Sequence, residues 1–279
     1  MKKHFLLFFL AALFTLPGCS DRGDEATLVI GMEANYPPFN WTEQSKTGDN
    51  VLIEGKQNEY AYGYDVRVAR FIAEDNGWKL SVKAMGWDAL IPSLSSGQIS
   101  AICAGMSATS ERLESIDFTN PYYDSTLVLV TRKDDPRFLE GKNFDFKSAS
   151  KGVKLITQSG TFEDDIASDW ARDYEAIHCG ATDTYPDAFY QVERGNADAV
   201  ICEKPVAKST TSTLTDLQII TFDNSLLDEK YQEQTKICLG IKKGDPNSIK
   251  EKINASLAKL DESTREKWMD EAIAKANAK

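Results

Sequence analysis

The sequence contains few of the residues, and none of the motifs, on which enzymatic or metal chemistry usually depends. It has five cysteines without a C-x-x-C pair and only two histidines. Neither residue type shows the spacing of metal ligands. Glycine-rich phosphate loops, the H-E-x-x-H zinc motif and the G-x-S-x-G nucleophile turn are also absent. We therefore expect no metal, no cofactor and no enzymatic activity.

Positive charge is scarce as well. The chain has 32 Lys and Arg against 43 Asp and Glu, which gives a formal net charge of -11 at pH 7. Proteins that bind nucleic acid gather Lys and Arg on one face to meet phosphate groups, and no such stripe is present. Nucleic acid is therefore excluded as a partner. A hydrophobic content of 42% with 27% charged residues indicates a globular chain.

The apolar run at the N-terminus is too short to span a membrane. Residues 5–16 form 12 almost wholly apolar positions after two lysines, whereas a membrane-spanning helix needs about 20. This pattern predicts a secretory signal peptide at 1–18. The end Leu16-Pro17-Gly18-Cys19 resembles a bacterial lipoprotein box, which implies lipid on Cys19 and a lipid-anchored tether at 19–26. Plain secretion is the alternative.

Strand and helix patterns alternate along the remaining chain, and one unit repeats. A helical pattern ends at Gly97, and the apolar run 101–103 follows. The same order returns with Gly195 and the run 199–202. Strands that alternate with short helices predict an α/β fold, and the repeat predicts two lobes, each a mostly parallel sheet flanked by helices.

The remaining four cysteines, at 103, 179, 202 and 238, lie in short apolar runs. We interpret them as small apolar side chains within strands. A disulfide between two of them stays open, because exported proteins form disulfides readily.

Polar and aromatic residues follow several predicted strands, where α/β proteins bind ligands. Glu33 and Tyr36 come just ahead of two prolines, and Trp87 stands at the start of a helix. A surface turn would also explain the first pair, and ordinary core packing would explain the tryptophan.

The segment 104–112 leaves a strand with glycine, hydroxyl and guanidinium groups. Gly105 and Met106 precede Ser107, and Arg112 lies in the next helical turn. Glycine permits close backbone approach to a ligand, and a guanidinium binds a carboxylate through two parallel hydrogen bonds. Helix capping by Thr109 or Ser110 would explain the hydroxyls, but it does not explain Arg112 in the first turn, where the helix dipole disfavours a cation.

A further group lies in the second half of the chain. Gln158 and Thr161 stand at the head of a helix, whose free N–H groups favour an anion. Glu203 ends a later strand and suits an ammonium group. Together these groups predict a site for a small zwitterion.

In this order, the motifs resemble the bacterial amino-acid-binding proteins of ABC importers, the solute-binding protein family 3 group. The segments that carry the resemblance are 33–39, 63–66, 87–97, 104–112, 118–123, 158–161 and 205–207. The resemblance implies a two-lobed periplasmic-binding-protein type II fold. Lobe 1 would comprise 27–124 and 226–279, and lobe 2 would comprise 125–225.

The resemblance also implies a role for each site residue. Arg112 would bind the α-carboxylate of an amino acid, with Ser107 and the Thr161 amide assisting. Glu203 would bind the α-ammonium group together with Ser107 and the Gly105 carbonyl. The family usually has Asp at this acidic position, so Glu203 reaches one methylene further.

The side-chain part of the predicted site combines two rings and a carboxylate. Tyr36 and Trp87 would sandwich the ligand side chain, and Glu33 at the pocket floor would favour Arg, Lys or His. Met106 and Gln158 complete the predicted binding set. Glutamine or cystine is the alternative ligand.

The resemblance implies an ABC permease as partner, an extracytoplasmic location with a lipid anchor, a monomer, and lobes that close on the ligand like a hinge. An exported dehydratase on the same fold is one alternative. A sensory domain is another, although such domains are usually fused to a membrane helix and a signalling module.

Overall fold

Two five-stranded sheets form the body of the protein in this computed structural model, which describes residues 26–278. The predicted signal peptide at 1–18, Cys19 and nearly all of the predicted tether at 19–26 lie outside the described residues. Within 26–278, no helix combines the length and the apolar character that crossing a bilayer requires.

The elements up to residue 124 are β1 (Thr27–Met32), β2 (Asn35–Tyr36), β3 (Asn40–Glu43), β4 (Val51–Leu52), β5 (Tyr60–Tyr62), α1 (Tyr64–Asp75), β6 (Lys79–Ala84), α2 (Trp87–Ser96), β7 (Ala101–Ile102), α3 (Ser110–Ser115) and β8 (Ile116–Asp124). The next are β9 (Leu127–Arg132), α4 (Phe146–Ala149), β10 (Lys154–Gln158), α5 (Phe162–Asp173), β11 (Ile177–Thr182), α6 (Tyr185–Glu193), β12 (Ala199–Glu203), α7 (Lys204–Thr213) and β13 (Leu217–Thr221). The last are α8 (Glu229–Gln232), β14 (Lys236–Lys242), α9 (Lys250–Leu257) and α10 (Glu262–Ala276).

The two large sheets have the same topology. The first has the order β6-β1-β7-β14-β8, with β1 parallel to both neighbours and β14 antiparallel to both of its own. The second has the order β11-β10-β12-β9-β13 with the same directions. Four strands of each sheet therefore run the same way, and the predicted α/β fold with mostly parallel sheets is confirmed.

The repeated unit occupies equivalent places in the two sheets. Helix α2 ends before Gly97, at φ +80°, and leads into β7, while α6 is followed by Gly195, at φ +76°, and leads into β12. Strand β14 joins the first sheet although it follows every strand of the second. This placement agrees with a first lobe completed by C-terminal residues, and the exact lobe boundaries stay a prediction.

Apolar periodicity explains how the helices pack. In α1, Val68 and Ile72 are fully buried, and Phe71 meets Trp268 of α10 edge-on, with ring centroids 5.9 Å apart. The second sheet has an aromatic cluster of its own, in which Phe146 stacks on Trp170 at 4.3 Å. Burial of these rings and of the aliphatic side chains around them stabilises each half of the molecule.

One cysteine differs from the others in its exposure. Cys179 is exposed, because β11 is an edge strand, while Cys103, Cys202 and Cys238 are buried. All four are free thiols.

Candidate functional site

Nine of the ten predicted binding residues line one small cavity between the two large sheets. They are Glu33, Tyr36, Trp87, Gly105, Ser107, Arg112, Gln158, Thr161 and Glu203. Met106 is the exception, because its side chain is buried in the core and does not line this cavity. The cavity has a volume of about 20 Å³, room for roughly one water molecule.

Sheet topology brings these residues together. Strands β1, β7, β10 and β12 are parallel neighbours at the centre of their sheets, and each ends at the cleft. Glu33 follows β1, Gly105 follows β7, Gln158 ends β10 and Glu203 ends β12. Ligands of parallel sheets bind at these carboxyl ends because the connecting loops and helix starts converge there.

The start of α1 holds the loop 33–39 in place. The Tyr64 N–H donates to the Pro38 carbonyl at 3.0 Å, and the Asp65 N–H donates to the Phe39 carbonyl at 2.8 Å. Gly63 precedes them at φ +130°, and a Cβ atom there would lie 2.3 Å from the Phe39 oxygen. Only glycine therefore fits this close approach.

Arg112 projects from α3 into the cleft with its fork of donors fixed. Its Nη1 donates to the Ser107 carbonyl at 2.8 Å, and its Nη2 donates to the Gly160 carbonyl at 3.0 Å. The guanidinium lies 5.1 Å from the centre of the Trp87 ring. Thr109 caps the helix and accepts the Arg112 N–H at 3.2 Å. Both of these side-chain hydrogen bonds go to carbonyl oxygens, and the carboxyl groups of Glu163, Glu111 and Asp165 act on the guanidinium electrostatically.

Tyr36 and Glu203 meet across the cleft. The Tyr36 hydroxyl donates to Glu203 Oε2. Burial raises the pKa of Glu203, and the hydrogen bond from Tyr36 offsets part of that rise. The Tyr36 ring stacks on Tyr185, with centroids 5.1 Å apart. Tyr36 is therefore a buried aromatic wall rather than part of a surface turn.

Glu33 stands where the small cavity meets a wide groove. Its Oε1 accepts from Gln158 Nε2 at 2.9 Å. The pKa of Glu33 is raised to about 7, mainly by burial; the Gln158 hydrogen bond opposes the rise, and the negative charge of Asp88 adds to it. The groove has a volume of about 690 Å³, and Asp88 and Asp183 also line it.

Four side-chain hydrogen bonds bridge the two sides of the cleft. They are Tyr36 to Glu203, Gln158 to Glu33, Arg112 to the Gly160 carbonyl, and Trp87 Nε1 to the same carbonyl at 3.1 Å. Each bond joins a residue before 124 to a residue after 157. Six predicted binding residues take part in these bonds, and the Gly160 carbonyl, which is outside the predicted set, accepts two of them.

Two buried polar residues of the cavity were not identified from the sequence. Glu163, the second residue of α5, is 2% exposed, and its Oε1 has no hydrogen-bond partner. The Tyr185 hydroxyl is also unpartnered. Burial raises the pKa of Glu163 well above its usual range, and the charge of Glu203 adds to the rise. Arg112 and the Thr161 hydroxyl offset this only in part.

The ionisable side chains that line the cavity are mostly acidic. Three carboxyl groups, of Glu33, Glu163 and Glu203, line it together with one guanidinium, that of Arg112. Among residues 26–278, no group of three or more His, Cys, Asp or Glu side chains is arranged to hold a metal ion. The arrangement suits an organic ligand that brings one carboxylate and more than one positive charge.

The sequence matches a known protein family. A model of the bacterial extracellular solute-binding proteins, family 3, matches residues 28–272. The arginine-binding extracellular protein ArtP of Bacillus subtilis is 26% identical over 279 residues, which cover 96% of this chain and 98% of ArtP. A probable histidine-binding protein of Campylobacter jejuni is 30% identical over 222 residues, which cover 74% and 76% of the two chains.

The fold is similar to that of a solved amino-acid-binding protein. The substrate-binding protein AbpA of an amino acid ABC transporter from Streptococcus pneumoniae, bound to L-arginine, superposes with a TM-score of 0.72 at 25% identity. The superposition covers 91% of this chain and 97% of AbpA. These relatives are transport proteins that bind a substrate and are not enzymes, and their family is extracytoplasmic. The chain belongs to the bacterial extracellular solute-binding proteins, family 3.

Proposed function

We propose that this protein captures a cationic amino acid, with arginine the first candidate, and delivers it to an ABC permease. The observation that carries the proposal is the excess of three buried carboxyl groups over one guanidinium in the cavity. Arginine binding by ArtP and AbpA, and the probable histidine binding of the Campylobacter jejuni protein, support it.

Each end of the amino acid has a partner in this proposal. The Arg112 fork binds the α-carboxylate, assisted by Ser107 and Thr161. Glu203 binds the α-ammonium group, and Glu163 adds a second carboxyl close to it. A charged hydrogen bond is roughly twice as strong as a neutral one, so these contacts dominate affinity.

The side chain of the ligand leaves the small cavity past Glu33 in this proposal. Glu33 lines both the small cavity and the wide groove, and it neutralises a guanidinium or ammonium at this junction. Tyr36 and Trp87 flank the path with their rings.

Ligand entry requires the two lobes to separate. A cavity of about 20 Å³ cannot hold an amino acid, and four hydrogen bonds cross the cleft. When the lobes close again on a bound amino acid, contacts with the ligand replace some of these bonds. Arg112 and Glu33 contact the ligand from one side of the cleft, and Glu163 and Glu203 contact it from the other. A ligand that binds both sides stabilises the closed form, because it binds that form more tightly.

Calorimetric titration with the twenty amino acids and cystine tests this function. We expect arginine, lysine or histidine to bind most tightly, and glutamine and cystine more weakly. Tight binding of aspartate or glutamate without binding of any cationic amino acid would contradict the proposal. Preference for glutamine or cystine would keep the transport role and reject the cationic ligand.

We further propose that Cys19 carries lipid and that the mature protein acts as a monomer tethered to the membrane. The support is the lipoprotein-like box at 16–19. Cys19→Ala is expected to release the protein from the membrane fraction and to abolish labelling by a fatty-acid analogue. Membrane retention of that variant with unchanged labelling would refute the anchor.

A further inference from the structure

A buried carboxylate beneath the site is not explained by ligand binding. Asp65, at the second position of α1, is 0% exposed and does not line the binding cavity. Its Oδ2 accepts from Asn40 Nδ2 at 2.8 Å, and its Oδ1 accepts from the Tyr122 hydroxyl at 2.6 Å. Asn40 and Tyr122 are equally buried and also lie outside the cavity.

Each of these two partners continues to a different ligand-binding loop. Asn40 Oδ1 accepts the Ala34 N–H at 2.7 Å, and Ala34 lies between Glu33 and Tyr36. The Tyr122 hydroxyl accepts the Gly105 N–H at 3.2 Å. One carboxylate therefore connects the loop 33–39 to the loop 104–112.

The direction of every hydrogen bond in this network depends on a carboxylate at position 65. An ionised carboxylate only accepts, so it can meet the Asn40 amide and the Tyr122 hydroxyl at the same time. That leaves the amide oxygen and the phenol oxygen free to accept the two loop N–H groups. The network accounts for the segments 63–66 and 118–123, to which the binding function gives no role.

We propose that Asp65 is a positioning residue that holds the two ligand-binding loops of the first lobe in a fixed relation to each other. The proposal rests on the proposed function only for the ligand used as probe. Loops held in the binding geometry before the ligand arrives need no reorganisation on binding, so the network favours affinity.

Asp65→Asn tests the role with little change of shape. The new amide must turn its NH₂ group towards either Asn40 or Tyr122, and that partner must then rotate its own donor away. A buried donor left unmatched is costly, so we expect the loops to shift until it is satisfied. Ligand binding must then return the loops to the binding geometry, which costs free energy. We therefore expect the Kd for L-arginine to rise about tenfold or more.

Asn40→Asp combined with Asp65→Asn restores the network in reverse. The new amide at position 65 can donate to the new carboxylate at position 40, which still accepts the Ala34 N–H. The oxygen of that amide still accepts from the Tyr122 hydroxyl. We expect the Kd of the double variant, measured near pH 8, to return to within about threefold of the wild-type value at the same pH.

Ser256→Ala serves as a matched control. Ser256 is also fully buried in the first lobe, and it bonds Asp75 at 2.7 Å and Asn76 at 2.9 Å, away from both loops. We expect this variant to lose thermal stability while its Kd is unchanged. Asp65→Asn with a lower melting temperature but a wild-type Kd would show a purely structural role and overturn the proposal.

Amide hydrogen exchange gives a readout that needs no ligand. The N–H groups of Ala34 and Gly105 are expected to exchange faster in Asp65→Asn and to regain protection in the double variant. Unchanged exchange at both amides would overturn the positioning role. If the wild-type protein fails to bind L-arginine, the proposed ligand is wrong, and the exchange data still decide the role of Asp65.

Discussion

Arg112→Ala is expected to raise the Kd for every amino acid ligand by at least about a hundredfold. Arg112 is the only cation among the described residues that line the cavity, and nothing else there can neutralise an α-carboxylate. Removing one partner of a buried ion pair costs about 3 to 5 kcal/mol, because the other charge stays buried without a partner. Calorimetric titration of the variant with L-arginine measures the loss.

Two further variants separate this role from a structural one. Arg112→Lys keeps the charge but loses the fork that reaches the Ser107 and Gly160 carbonyls, so we expect an intermediate loss of affinity. Arg132 also donates to two carbonyls, those of Val192 and Ala197 at 3.0 Å, and it lies outside the cavity. Arg132→Ala should lower the melting temperature and leave the Kd unchanged. A folded Arg112→Ala protein that binds with wild-type affinity would refute the assigned role.

Much of the fold could be predicted because its signals are local. The apolar runs 101–103 and 199–202 coincide with β7 and β12, and the predicted helices lie directly before them. Apolar spacing and terminal glycines report which residues face a core and where a helix ends. The small sheet of β2 to β5 was not predicted, because strands of two to four residues are too short to show a period.

The sequence predicts the positions of the site residues better than it predicts the directions of their side chains. Residues next to strand ends could be identified, because the end of a parallel strand is itself predictable. Met106, also in the predicted set, lies between Gly105 and Ser107, but its side chain is buried and does not line the small cavity. Position along a loop does not determine the direction of each side chain.

Glu163 is a cavity residue that the sequence did not indicate. In the sequence it begins an acidic run at the start of a helix, where exposed carboxylates are common because the dipole favours them. Its burial depends on Tyr185 from α6 and Glu203 from β12, which line the same cavity from distant parts of the chain. Only the tertiary structure shows that this carboxyl group lines the cavity.

Glu33→Gln is expected to weaken arginine binding about thirtyfold or more and to leave citrulline binding nearly unchanged. Citrulline has the shape of arginine but carries no side-chain charge, so it does not need a carboxylate at this position. Truncating one partner of a buried, hydrogen-bonded charge pair costs about 2 to 5 kcal/mol. The ratio of the two dissociation constants, measured by calorimetry in wild type and variant, isolates the charge of Glu33.

The same ratio should depend on pH in the wild-type protein. Burial raises the pKa of Glu33 to about 7, and a cationic side chain binds the ionised form. The preference for arginine over citrulline should therefore be greatest above pH 7 and fall as the pH decreases through 7, by up to about tenfold per unit. Glu163 and Glu203 also have raised pKa values, but in our assignment they face the α-ammonium group that both ligands share, so their contribution cancels.

Glu163→Gln completes the comparison from the other side of the cleft. It should weaken the binding of arginine and of citrulline by similar factors, so the ratio of their dissociation constants should still depend on pH. Glu33→Gln should abolish that pH dependence. The opposite result would be a ratio of the two dissociation constants that does not change with pH in Glu163→Gln but still changes in Glu33→Gln. That result would place the ligand side chain against α5 and reverse the proposed orientation of the amino acid in the cleft.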